Sequence, residues 1–336
     1  MNEVREFPRF VASSLADALR DTPIVVVQGA RQTGKSTLIQ SMAARLPGAM
    51  LVTLDDPTTL QLARRDPAFF VSQSQGPLVI DEVQRAPELI LPLKAAVDRD
   101  RRPGRFLLTG SADLLQVKGV GDSLAGRAET IPLKPLSQGE LVWRSTPEDF
   151  VSWLWSGADG ARLTGLDVEA VVTGGFPEVI KRDQVRGRAW LRNYVGRLAD
   201  HDARELASRG FSDQLQTLLE LLAATGQAEY VTARIARALG VSEPTADAYL
   251  RLARVMQLVE KTPAWTRSMR GRIVQRPKLS LLDSGLSSAL ASFTAAKANT
   301  LGGREYFGTL VEQFVTSELR KQQTWTTTPF RMFHVR

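Results

Sequence analysis

The sequence predicts an α/β fold over residues 1–136, a parallel sheet with helices on both faces. A helical region, a winged helix-turn-helix and a partial α/β C-terminal stub are predicted to follow. Three observations carry this. The apolar run Ile24-Val25-Val26-Val27 leads into Gly29-Ala30-Arg31-Gln32-Thr33-Gly34-Lys35-Ser36-Thr37, and then into a helical pattern from Leu38 to Leu46. A second apolar run, Leu78-Val79-Ile80, ends in the paired acids Asp81-Glu82. Beyond residue 226, two helical stretches are separated by Gly240-Val241-Ser242. Runs apolar at every position suit parallel strands buried on both faces, and their alternation with helical patterns marks a doubly covered sheet.

Composition sets outer limits. The chain has 336 residues, which fits one to three domains. Hydrophobic residues make up 43%, enough for real cores, and charged residues 24%. The absence of cysteine excludes disulfides, thiolate chemistry and cysteine-ligated zinc. With His201 and His334 the only histidines, a histidine-rich metal site lacks ligands. No apolar run approaches the roughly 18 residues of a membrane span. The N-terminus has no basic start before an apolar core, so no secretory signal and a cytoplasmic location are expected. A net charge of +7 suits a polyanionic partner, although an arginine-rich chain without one would read the same way.

In chain order, Phe10, Leu15 and Leu19 are spaced for one helix face. The strand at Ile24–Val27 delivers the stretch Gly29–Thr37, which fits G-x-x-x-x-G-K-[ST] without a mismatch. Its glycines allow a tight turn whose N–H groups face phosphate oxygens. The helix start adds the positive end of its dipole. Lys35 supplies a charge for the β- and γ-phosphates, and the Ser36 hydroxyl is placed to ligate Mg²⁺. Ala49–Leu54 reads as a second strand. Asp56 is the expected N-cap of the next helix, with Pro57 at its first position, while Asp55 is a lesser candidate for the nucleotide site.

Gly76-Pro77 breaks the chain before the strand that ends in Asp81-Glu82. Asp81 is expected to hold Mg²⁺ through water, and Glu82 to polarise the attacking water as general base. Taken alone, the pair would read as two solvated acids. Arg105–Ser111 reads as a strand ending in small polar residues. Thr109 and Ser111 are the candidates there for a γ-phosphate contact, although a plain strand-to-turn junction predicts the same letters. Arg127 precedes a fifth strand, Thr130–Leu133. It reads either as a γ-phosphate contact, in cis or from a neighbouring subunit, or as a surface arginine paired with Glu129.

The series GARQTGKST, LVIDEVQRAPEL, FLLTGSADLL and LAGRAETIPLKPLSQGE resembles a family of prokaryotic AAA-superfamily ATP-binding proteins, in which an AAA module is joined to a C-terminal domain of unknown function. GGFPEV, PKLSLLDSGL and GTLVEQFVTSELRK extend the resemblance downstream. It implies a P-loop NTPase (AAA-type) sheet, with ATP and Mg²⁺ as cofactors. No base-specific motif separates ATP from GTP.

Residues 137–225 read as a helical connector, with Phe150, Trp153 and Trp155 expected in a core. Helices are expected at Trp190–Leu206 and Leu215–Ala224. The cluster Asp200, His201, Asp202, Arg204 and Glu205 reads as a solvated face of the first. Residues 226–280 read as the winged helix-turn-helix, with Thr232 capping the helix Ala233–Leu239 and a second helix from Glu243 to about Met256. Acids near the start of that second helix suit the major groove poorly. The wing carries Arg267, Arg270, Arg272, Arg276 and Lys278, with Trp265 among them, and is the candidate grip on a phosphate backbone. The alternative is a module that only packs within the protein.

Residues 281–336 form the last region, with an amphipathic helix at Gly308–Arg320. The family resemblance implies that this helix opens a restriction-endonuclease-like part, with Glu312 as its first acid. The sequence stops at Arg336 before a further acidic motif, so a truncated domain is expected, its last helix short of partners. A nuclease would need convergent carboxylates that these residues do not supply. The expected function is ATP binding and Mg²⁺-dependent hydrolysis coupled to rearrangement of the C-terminal modules. The alternative is a nucleotide-gated DNA-binding regulator with incidental hydrolysis. A homo-oligomer or an unidentified protein is the further candidate partner, and no membrane association is expected.

Overall fold

The computed structural model describes residues 6–111, 124–157, 167–199, 212–268 and 275–335. The chain divides into two units, residues 1–134 with 143–147, and residues 135–142 with 148–336.

The first unit is built on strands β1 (Ile24–Gln28), β2 (Met50–Thr53), β3 (Leu78–Asp81), β4 (Phe106–Gly110) and β5 (Ala128–Pro132). They form one parallel sheet in the order β2-β3-β4-β1-β5. The helices are α1 (Val11–Asp21), α2 (Lys35–Ala43), α3 (Pro57–Arg65), α4 (Pro67–Ser72) and α5 (Ile90–Arg99). Alternate residues of each strand feed opposite faces. Val25, Val27, Val79 and Leu107 pack with Leu15 of α1 and Leu38 and Ile39 of α2. Ile24, Val26, Ile80, Phe106 and Leu108 pack with Leu93 and Val97 of α5 on the other side. Each such side chain, fully buried, stabilises by about 1.5–3 kcal/mol, so both faces need helices. Asp56 caps α3 as expected, accepting from the Thr59 N–H at 2.7 Å, with Pro57 at the first helical position.

The second unit contains α6 (Gln138–Leu141), α7 (Phe150–Trp155), α8 (Val168–Thr173), α9 (Pro177–Ile180), α10 (Gln184–Arg197) and α11 (Ser212–Thr225). There follow β6 (Ala228–Glu229), α12 (Thr232–Leu239), α13 (Glu243–Val255), β7 (Val259–Thr262), β8 (Lys278–Leu281), α14 (Ser284–Leu290) and α15 (Gly303–Gln322). The three strands form an antiparallel sheet in the order β6-β8-β7. Val171, Val172, Phe293, Ala298 and Leu310 form a core cluster.

Polar groups tie this unit together. Asp283 caps α14 through the Leu286 N–H (3.1 Å) and also accepts the Gly175 N–H (2.9 Å). A Cβ on Gly174 would overlap the Asp283 carboxylate. Thus the GGFP turn and the LLDSGL stretch are two halves of one contact. Lys321, 2% exposed, donates to Leu136 O (2.8 Å) and Glu318 Oε1 (2.6 Å).

Several expectations are corrected. Thr232 lies inside α12 and donates its hydroxyl to Tyr230, and Val231 is the N-cap. Trp155 is 77% exposed, with Phe150 and Trp153 also exposed, because the short α7 buries only Val151. The helix expected from Trp190 starts at Gln184, where Asp183 caps it; the charged cluster at 200–205 lies outside the described residues. Helix α15 is not short of partners: Leu310, Gln313, Ser317 and Lys321 are all buried along one face. Among the described residues, no helix is long and apolar enough to cross a membrane.

Candidate nucleotide site

Parallel strands put all their carboxyl ends on one edge, and β4 lies between β3 and β1. The loop after β1, the acids after β3 and the polar residues ending β4 therefore share that edge. Close packing shapes the loop. A Cβ on Gly29 would overlap the Leu133 carbonyl oxygen, so only glycine fits. Gln32 (φ 63°) and Gly34 (φ 94°) both adopt the left-handed region, which turns successive N–H groups inward. Thr33 is buried and ties the loop by donating its hydroxyl to Ala30 O at 2.9 Å.

Lys35 opens α2 and is only 4% exposed. Its ammonium donates to Gly29 O and Ala30 O, each at 3.1 Å, and so lies folded over its own loop. Ser36 is half-buried in the first turn of α2, where backbone N–H groups have no intrahelical acceptor. Ala30 is buried, Arg31 half-buried, and Gln32 and Thr37 are exposed on the rim.

Asp81 ends β3 and is buried. Thr109 donates its hydroxyl to Asp81 Oδ1 and accepts the Glu82 N–H at 2.9 Å. Glu82 sits at φ 58°, and its Oε2 accepts from Gln84 Nε2, which also donates to Ser111 Oγ at 2.9 Å. Asp55 is not part of this cluster; it pairs with Arg85.

Arg127 is the exception among the predicted residues. Its carbonyl accepts the Ile24 N–H at 3.2 Å, at the entry end of β1, whereas the loop leaves the exit end. Its guanidinium pairs with Asp98 at 2.6 Å, not with Glu129. That hydrogen bond holds the Asp98 carboxyl below the usual carboxylate range. Arg127 thus lies a strand's length from the loop and does not join it within this chain.

Two residues at this edge escaped the sequence reading. Arg9 donates to Thr33 O (2.7 Å) and Lys134 O (2.6 Å), clamping the loop to the chain after β5. A lone arginine before a helix carries no pattern that would reveal this. Gln84 is the other; it stands inside the Asp81–Arg85 stretch, but no rule of spacing singles it out.

The wing residues fare unevenly. Arg267 and Arg276 are exposed. Lys278 pairs with Glu312 at 2.5 Å, and Trp265 packs edge-on against Phe333 with ring centres 5.3 Å apart. Arg270 and Arg272 lie outside the described residues. Among those described, no three His, Asp or Glu residues converge as a metal cluster.

Comparison with known proteins bears on the domains and the fold. The AAA domain family matches residues 21–142, and a domain of unknown function, DUF8612, matches residues 167–297. Mycobacterium tuberculosis and Mycobacterium bovis each have an uncharacterized protein 30% identical over 308 residues, which is 91% of this chain. The chain spans 65% of the length of these relatives. A Walker-type ATPase of Pyrococcus abyssi is similar in fold, at 15% identity and a TM-score of 0.50, over 86% of this chain and 99% of that one. Residues 21–142 thus match an AAA domain and residues 167–297 match DUF8612, on a fold similar to that of a Walker-type P-loop ATPase.

Proposed function

We propose that the chain binds ATP and hydrolyses it with Mg²⁺, and that turnover drives rearrangement of the C-terminal modules. The observation that carries this reading is the shared strand edge. A phosphate loop with its lysine folded inward shares this edge with a buried carboxylate one strand removed, held by Thr109 of the strand between.

In this reading, Gly29 to Thr37 cradle the phosphates through their N–H groups. Lys35 exchanges two carbonyl contacts for phosphate oxygens. Ser36 and Asp81 are hard oxygen donors of the kind Mg²⁺ takes beside phosphates and water, so the donor set fits that ion without a carboxylate cluster. When bound, Mg²⁺ neutralises charge on the phosphate oxygens. Glu82 accepts a proton from the attacking water, whose oxygen displaces ADP at the γ-phosphorus. Thr109 spends its single proton on Asp81, which leaves Ser111 as the hydroxyl for a γ-phosphate contact.

A second reading, nucleotide-gated DNA binding, draws on the order α11-β6-α12-α13-β7-β8, which supports a winged helix-turn-helix reading of this stretch. Exposed Arg267 and Arg276 favour it, but Lys278 and Trp265 are already engaged.

The test is ATP turnover by wild type, Lys35→Ala and Glu82→Gln, with and without duplex DNA. Failure of wild type to bind nucleotide ends the main reading. Normal turnover by Glu82→Gln removes only its role as base. The second reading is dropped if DNA changes neither turnover nor its own mobility in a gel.

A further inference from the structure

Glu82 is held from two sides by one strand. Its backbone N–H is taken by Thr109, and its carboxylate accepts from Gln84, whose Nε2 also reaches Ser111. Thr109 belongs to β4, and Ser111 follows its last residue. That strand separates Glu82 from the phosphate loop strand. The two tethers therefore draw the carboxylate towards the side on which phosphate would lie.

The Gln84 amide is turned so that its Nε2, not its oxygen, faces both partners. Among the described residues, its Oε1 is buried without a hydrogen-bond partner. Flipping the amide would not help, because it would point an oxygen at a carboxylate. The side chain is thus oriented by Glu82 and Ser111. Glu82 is itself in the left-handed region at φ 58°, which disfavours a side-chain-bearing residue by roughly 1–2 kcal/mol. A strained backbone and a bridging amide converge on the placement of one carboxylate. Such strain clusters where geometry serves chemistry.

We propose that Gln84 is a positioning residue for ATP hydrolysis, fixing the Glu82 carboxylate against the end of β4 through a bridge to Ser111. The proposal rests on Glu82 being the base.

Steady-state turnover of ATP by the full chain tests it, using Gln84→Ala, Gln84→Glu, Glu82→Gln and the Gln84→Ala/Glu82→Gln double variant. Gln84→Ala is expected to lower kcat about 10–100-fold, with KM for ATP changed less than about twofold, because the amide acts on the base and not on nucleotide binding. Gln84→Glu keeps the shape but replaces the donor with a second carboxylate, and should lose at least as much; a packing role would be restored by it. On the Glu82→Gln background, Gln84→Ala should bring no further loss. Additive losses in the double variant, full activity in Gln84→Glu, or a kcat loss matched by a rise in KM would each overturn the proposal. Normal turnover by Glu82→Gln would instead remove the reading on which it rests, and shows as a separate result.

Discussion

Thr109 is bonded to Asp81 through its only hydroxyl proton while its oxygen accepts the Glu82 N–H at 2.9 Å. One side chain on β4 thus fixes both acids at the end of β3. Thr109→Val keeps the shape and removes both bonds, orphaning a buried carboxylate oxygen and an N–H. The expected result is a stability loss of about 1–3 kcal/mol and at least about a tenfold fall in turnover. Thr109→Ser should retain most of both. Thermal unfolding and kcat measured on the two variants check this; equal behaviour of Val and Ser would show that the hydroxyl is idle.

Arg9 makes two charge-assisted bonds to carbonyls, at 2.7 Å to Thr33 and 2.6 Å to Lys134. Hydrogen bonds from charged donors contribute about 1.5–3 kcal/mol each, part of which goes into holding the loop. Arg9→Ala is expected to weaken ATP binding by roughly tenfold or more. The two bonds leave from different nitrogens of the guanidinium fork, a spread that the compact ammonium of lysine does not reproduce, so Arg9→Lys should recover only a minor part. Calorimetric titration of ATP provides the measure, and unchanged affinity in Arg9→Ala would count against the clamp.

The loop was legible in sequence because it packs three signals into a short span: an apolar strand, two glycines, one of them at positive φ, and a lysine at a helix start. The acids after Ile80 were legible for the same reason, since an uninterrupted apolar run announces a buried strand with an exposed end. What stayed hidden depends on which strands are neighbours. That β4 lies between β3 and β1 cannot be read from chain order, and Gln84 and Arg9 owe their places to it or to the return of the chain after β5. Arg127 misled because closeness in sequence to a strand does not say which end of the sheet it occupies. In the second unit, α7 looked like core from its aromatics, yet six residues of helix bury one side at most.

Arg127 offers a plain check on that correction. Its partner is Asp98, and both are at the surface of the opposite sheet edge. Arg127→Ala should leave ATP turnover within about twofold of wild type, since exposed ion pairs contribute little. Asp98 loses the hydrogen bond that lowers its proton affinity. The small stabilisation this pair supplies above the ordinary carboxyl range, and loses as pH falls, disappears with it. A large fall in kcat that depends on protein concentration would point to a phosphate contact with a neighbouring copy.

Lys321 and Asp283 give the second unit its own pH signature. Burial raises the Asp283 carboxyl above its ordinary value, and the nearby Lys321 charge opposes that rise. The folded chain therefore keeps a proton that the unfolded chain has released. Stability from this group is greatest in acid, falls as pH climbs from the ordinary carboxyl range through the raised folded value, and then levels off. Lys321→Met removes the opposing cation and the donor to the Leu136 carbonyl and to Glu318 Oε1, while Glu318 Oε2 keeps the Gln138 N–H. Breaking one partner out of a buried charged cluster costs about 3–5 kcal/mol. The deficit against wild type should be smallest in acid and widen towards neutral pH, because the unopposed carboxylate is penalised only once it ionises. Denaturant unfolding of both proteins across that range is the measurement, and a deficit of constant size would mean that Lys321 matters for its packing and not for its charge.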